Sequence, residues 1–99
     1  MKHVLTKRAE RRAQFVDGWW RSHRPRTPDR FQSELDEAIR QILGAPLVPP
    51  VRCVEHGREY RRVLLPKTKQ FVYYTVDVAK QLVIIAYVWG GRRGREPKL

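Results

Sequence analysis

The sequence predicts an α+β fold in which an N-terminal helical hairpin packs on a small antiparallel sheet. Three observations predict it. Residues 7–43 carry apolar side chains at helical spacing, in two blocks parted by prolines. Residues 59–89 fall into three runs rich in β-branched and aromatic residues, separated by short polar turns. A proline-punctuated link, APLVPPVRCVEHG, divides the two halves. At 99 residues the chain is one small domain. Such a chain buries roughly 60–65% of the surface its unfolded form exposes, enough for two packed layers and not for a second domain.

KHVLT opens the chain as a short first strand. From Lys7, Ala9, Ala13, Val16 and Trp20 recur at intervals of four, three and four, one apolar stripe on a helix. Arg8, Arg11, Arg12 and Arg21 fall off that stripe. Gly18 weakens the helix by roughly 1 kcal/mol relative to alanine, and Pro25 stops it. Thr27 as a hydroxyl N-cap, with Pro28 at the first helical position, predicts a second start. Asp29 adds a carboxylate where the helix dipole favours one. Phe31, Leu35, Ala38, Ile39, Ile42 and Leu43 form the second stripe, and Gly44 with Pro46 ends it. So short a connection predicts an antiparallel helical hairpin. The runs 59–65, 70–76 and 82–89 then read as a meander of three strands. The last is the most apolar and is expected centrally or covered on both faces. The predicted order is (β)ααβββ, with a domain over residues 1–93 and a basic flexible tail over 94–99.

Net charge is +11, from 21 Lys and Arg against 10 Asp and Glu. Arginine dominates, and its planar fork suits phosphate and carboxylate alike. Such a balance points to a polyanionic partner, either nucleic acid or a strongly acidic protein segment. The single cysteine, Cys53, allows no intrachain disulfide and has no cysteine partner for zinc. His3, His23 and His56 lack ligand spacing, so no metal and no cofactor is expected. No apolar run approaches the roughly 18 residues of a membrane span, none of signal-peptide length opens the chain, and a reducing cytoplasm is the expected compartment.

The helix hairpin ending in LGAP, then YRRVLLP, FVYYTVD and LVIIAYVWGGRRGREP, cover nearly the whole chain. Their order and spacing resemble the RelE/ParE superfamily of bacterial toxins from type II toxin–antitoxin pairs. The resemblance implies a compact sheet under a helical hairpin and a cognate antitoxin protein that wraps the toxin. A homodimer or a toxin–antitoxin hetero-oligomer is the assembly it suggests. Two activities divide the family: RelE-like members cut messenger RNA on the ribosome, and ParE-like members poison DNA gyrase.

Cutting RNA by its own 2′-hydroxyl needs a base, an acid for the leaving oxygen and a cation for the phosphorane. The resemblance places RelE-like lysines along the strand holding Arg61 and Arg62, yet no lysine lies between Glu59 and Leu65. Gln70 stands where an arginine is usual, Gly90 where a histidine is common, and no Tyr or His follows Trp89. Arginine stays protonated near neutral pH and is a poor base. Arg61, Arg62 and Arg92 therefore read as phosphate clamps, if the chain is a nuclease, without a proton-transfer set. The ParE-like pattern, with its paired basic dipeptide and aromatic pair, fits better. A gyrase-inhibiting toxin is the first expectation, a ribosome-dependent mRNA endonuclease the second, and a non-toxic basic nucleic-acid-binding module the third.

The residues expected to hold an antitoxin or target are Trp19, Arg61, Arg62, Tyr73, Tyr74, Arg92 and Arg93. Arg61 and Arg62 are neighbours on a strand and point to opposite faces. The one facing the helices calls for a carboxylate such as Glu34 or Asp36, and the other is a solvated residue or a partner's anchor. Tyr73 and Tyr74 split likewise into one core residue and one on the open face. Trp20 continues the core stripe, leaving Trp19 at its edge for packing against the second helix or for a partner. Lys67 and Lys69 read as ordinary turn charges.

Overall fold

In the computed structural model, which describes residues 1–92 and 94–99, the KHVL run is strand β1 (Lys2–Leu5). Thr6 ends it. Its backbone is still extended, at φ −64° and ψ 158°, and its hydroxyl accepts a hydrogen bond from Ala9 N. That bond satisfies one of the amides a helix start leaves unpaired. Helix α1 (Lys7–His23) follows and buries Ala9, Ala13 and Val16, the predicted stripe, with Trp20 packed partly against the core.

Helix α2 (Arg30–Gly44) starts later than the Thr27–Pro28 pair predicts. Thr27 is spent in a turn, its carbonyl accepting from Arg30 N at 3.2 Å. Asp29 takes the N-cap position but makes no side-chain cap bond. Its carboxylate instead meets Arg21 at 2.7 Å, across the junction between the helices. α2 buries Phe31, Leu35, Ala38 and Ile42.

Four more strands follow: β2 (Cys53–Glu55), β3 (Arg58–Leu65), β4 (Gln70–Asp77) and β5 (Leu82–Gly90). The fold is α+β, with two helices and a five-stranded sheet in the order β1-β5-β4-β3-β2. β3, β4 and β5 form the predicted antiparallel meander, and β5 lies between two neighbours. The sheet as a whole departs from the prediction in two ways. First, it is mixed, because β1 pairs with β5 in parallel. The helices carry the chain over one face to the far edge, and three hairpin reversals bring β5 back beside β1 pointing the same way. Second, the link contains β2, which turns into β3 through His56 and Gly57, both at positive φ (54° and 73°). Two central residues of that conformation make the tight turn whose twist matches a hairpin.

Both helical stripes pack on one sheet face, against Leu65, Val72, Tyr74, Val83, Ile85 and Val88. Ile85 and Val88 share that face although they are three residues apart. A bulge explains it: Tyr73 faces Tyr87 and Tyr74 faces Ile85, which leaves Ala86 without a partner. The extra residue resets the alternation, so Tyr87 and Trp89 turn to the side without helices. No helix among the described residues is long and apolar enough to cross a membrane.

The turn between β3 and β4 is fastened to the helix layer by one carboxylate. Glu34 on α2 accepts from Lys67 N (2.8 Å), Thr68 N (2.9 Å) and Thr68 Oγ1 (2.8 Å). Hydrogen bonds to a charged group contribute about 1.5–3 kcal/mol. Glu34→Ala is therefore expected to lower stability by about 2 kcal/mol, and Glu34→Gln, which keeps one acceptor, by less. Urea unfolding checks this through a lower midpoint at unchanged slope.

Candidate functional site

The structure separates the residues that the sequence groups together. Arg61 faces the helix side, but among the described residues no carboxylate pairs with it. It donates to the carbonyls of Leu47 (3.1 Å) and Pro49 in the link after α2. Of the two expected partners, Glu34 is engaged by the β3–β4 turn and Asp36 accepts from Gln32 at 2.9 Å. Those carbonyls satisfy part of the guanidinium's donor set without supplying a counter-charge.

Arg62 lies on the opposite face. Its guanidinium carbon sits 3.9 Å from the Phe71 ring centroid, and it donates to Tyr73 Oη at 3.2 Å. Glu96 lies 3.4 Å away and pairs more closely with Arg52 at 2.5 Å. Glu96 belongs to the segment 94–99, which sequence reads as a free tail. Here that segment follows the open face. Trp89 Nε1 donates to the Arg95 carbonyl (2.8 Å), Arg8 donates to the Lys98 carbonyl (2.5 Å), and Leu99 N donates to Glu55 (2.9 Å). Pro97 is buried. An unprotected face bearing Tyr60, Phe71, Tyr73, Tyr87 and Trp89 would expose much aromatic surface, and covering that surface favours the docked tail.

Tyr73 and Tyr74 point to opposite faces, as alternation requires, but both are buried, at 1% and 0% exposure. Tyr74 belongs to the core beneath the helices and donates to the Pro46 carbonyl at 2.6 Å. Tyr73 lies on the face the tail crosses. Neither ring is open to a partner in this conformation. Arg93 falls outside the described residues.

Trp19 and Arg92 do come together. They line a cleft of about 390 Å³ between α1 and the β3–β4 turn, which also takes in Phe15, Arg24, Lys67 and Lys69. Trp19 is 39% exposed and Phe15 is 61% exposed. Trp19 makes its ring contacts within α1 and its cap: edge-on to Trp20, stacked on His23 at 4.5 Å, and with the Arg24 guanidinium 5.2 Å from its centroid. Arg12 similarly lies 5.0 Å from the Phe15 centroid. Arg92 is held at the rim by its neighbour. Gly91 N donates to the Lys69 carbonyl at 2.7 Å, and a Cβ on Gly91 would meet that oxygen at 3.0 Å and Phe71 at 3.2 Å. Glycine is what allows this close approach.

Sequence reasoning undervalued this cleft. Arg12, Phe15 and Trp19 recur at three and four, a second stripe on α1 beside the core one, and Lys67 and Lys69 were assigned to an ordinary turn. The cleft's described lining residues include five cations and no carboxylate. Elsewhere, no group of three or more His, Cys, Asp or Glu among the described residues could hold a metal ion. Cys53 is half-buried, and that burial, with Glu55 nearby, pushes its thiol above the usual range, so it is a weak nucleophile. Compared with protein-family models and with curated proteins, the chain matches none.

Burial pushes the Tyr74 hydroxyl above its ordinary 10.0, with Arg61 pulling weakly the other way. The folded protein then keeps a proton that the unfolded chain loses. The associated stability is complete below about pH 10 and disappears as pH rises through the folded-state value. Alkaline unfolding followed by circular dichroism is expected to steepen above about pH 10 in the parent chain and to be flatter in Tyr74→Phe.

Proposed function

We propose that this chain is a ParE-like toxin of a type II toxin–antitoxin pair, which inhibits DNA gyrase by binding and is neutralised by an acidic cognate antitoxin. The resemblance of the hairpin and the three long strands to RelE/ParE toxins supplies the family and the target. The observation that carries the binding character is the cleft. It joins Trp19 to Arg92 and surrounds exposed aromatic surface with cations, the composition expected where a protein partner docks. The nuclease alternative needs Arg61, Arg62 and Arg92 around one scissile phosphate. Arg61 is engaged by carbonyls on the helix side, Arg62 by Glu96 and Tyr73 on the other face, and Arg92 lines the cleft. No observation favours that alternative, and none favours the non-toxic nucleic-acid module over a protein-binding toxin.

A supercoiling assay with purified gyrase and relaxed plasmid tests the target. Added at equimolar amounts, the folded protein is expected to suppress the supercoiled product. Undiminished supercoiling at a stoichiometric excess would remove gyrase as the target.

A further inference from the structure

Two cationic surfaces offer themselves to an anionic partner, and they are not equivalent. On the open sheet face the chain already supplies a carboxylate, Glu96, to Arg52 and Arg62, and residues 94–99 cover the aromatic rings. Among the described residues, the cleft between α1 and the β3–β4 turn has no such internal carboxylate. Arg12 and Arg24 stand on its helical wall, Lys67 and Lys69 on the turn opposite, and Arg92 closes one end. The nearby carboxylate of Glu34 is consumed by the turn's amides and the Thr68 hydroxyl. Buried Val16 and partly buried Trp20 line the cleft together with the exposed Phe15 and Trp19.

The chemistry of the aromatic groups distinguishes two kinds of anion. Single-stranded nucleic acid binds by laying bases on free ring faces. The Trp19 ring already stacks on His23 and carries Arg24, and Phe15 carries Arg12. Those contacts take up part of the stacking surface, and the exposed remainder of Phe15 and Trp19 can receive aliphatic or aromatic side chains. The Trp19 contact also holds the planar Arg24 guanidinium in place, where a carboxylate can be received by two parallel bonds. Gln70 lines the same cleft. Arg12 and Arg24 are twelve residues apart, roughly 18 Å along a helix, a distance that about five or six extended residues span.

We infer that this cleft is the docking site for an acidic protein segment, whose carboxylates meet Arg24, Lys67, Lys69 and Arg92 and whose apolar side chain seats against Phe15 and Trp19. The inference gives the site and chemistry of the neutralising partner, and it rests on the toxin–antitoxin reading only for that partner's identity. Neither readout below involves gyrase, so failure of one leaves the other standing.

The test uses a short fluorescein-labelled peptide of glutamate and phenylalanine, its glutamine-for-glutamate counterpart, and a labelled oligothymidylate of equal length. Anisotropy is expected to show that the acidic peptide binds and the glutamine version does not. The pair Arg24→Glu and Lys69→Glu should weaken binding on the order of tenfold or more. Phe15→Ser should weaken it several-fold without changing the salt dependence. The pair Lys2→Glu and Lys80→Glu makes the same net-charge change away from the cleft and should alter affinity by less than about twofold. Amide chemical-shift mapping on the parent chain, needed if a variant fails to fold, should place the perturbed residues in 12–24, 67–70 and 90–92. Three results would overturn the inference: no binding of the acidic peptide; equal losses in the distant pair; or tighter binding of the oligothymidylate with displacement of the peptide, which would make the cleft a nucleic-acid site.

Discussion

One hydroxyl, that of Thr6, stands where β1, α1 and β5 meet. It accepts from Ala9 N at 3.1 Å and donates to the Ala86 carbonyl at 3.0 Å, while Thr6 N donates to the Ile85 carbonyl. One end of the bond satisfies a helix amide with no partner in its own helix, and the other satisfies a carbonyl at the bulge. The joint fixes where α1 leaves the sheet, and so what each of its faces meets. Ala9, Ala13 and Val16 turn inward, Arg12, Phe15 and Trp19 face the β3–β4 turn, and Arg8 reaches the other way, to 4.0 Å from the Tyr87 ring centroid. The cleft and the covered sheet face thus both depend on one short-range cap and its partner 80 residues further along the chain.

A chain with 21 cations and 10 carboxylates cannot give each cation an acid of its own. The protein uses other means. Carbonyls hold Arg61, rings hold Arg8, Arg12 and Arg24, and a single glutamate, Glu96, serves both Arg52 and Arg62. Exposed ion pairs of this kind contribute at most about 1 kcal/mol each, so the pairs do little to set stability. None of these pairs reaches Arg24, Lys67, Lys69 or Arg92 at the cleft.

Much of the fold is legible in the sequence because it is written in short-range periodicity. The stripes of Ala9 to Trp20 and Phe31 to Ile42 become the buried faces of α1 and α2, and the three β-rich runs become β3, β4 and β5 nearly residue for residue. Proline masked β2, whose signal was the short His56–Gly57 turn and not strand length. The parallel partnership of β1 depends on the whole path of the chain, and no local pattern encodes it. The site was less legible. Trp19 and Arg92 are far apart in sequence and meet only because Gly91 pins the end of β5 to Lys69. Alternation gives the face of a side chain but not what later covers it: the C-terminal segment lies over the face of Tyr73 and Arg62, and the link after α2 holds Arg61 on the other.

The sheet's outermost strands have a consequence for how the molecule meets its neighbours. β1 and β2 are four and three residues long, β1 begins with Lys2 and His3, and Pro49 and Pro50 precede β2. Short edges of this composition offer few consecutive unpaired amides, and charge and proline discourage another strand from zipping on. β2 itself is therefore a poor template, but it pairs only with residues 58–60 of β3, so residues 61–65 have no strand on that side among the described residues. An extended segment adding to the sheet on that side would find a row of strandless backbone there, beyond the end of β2 and not on it.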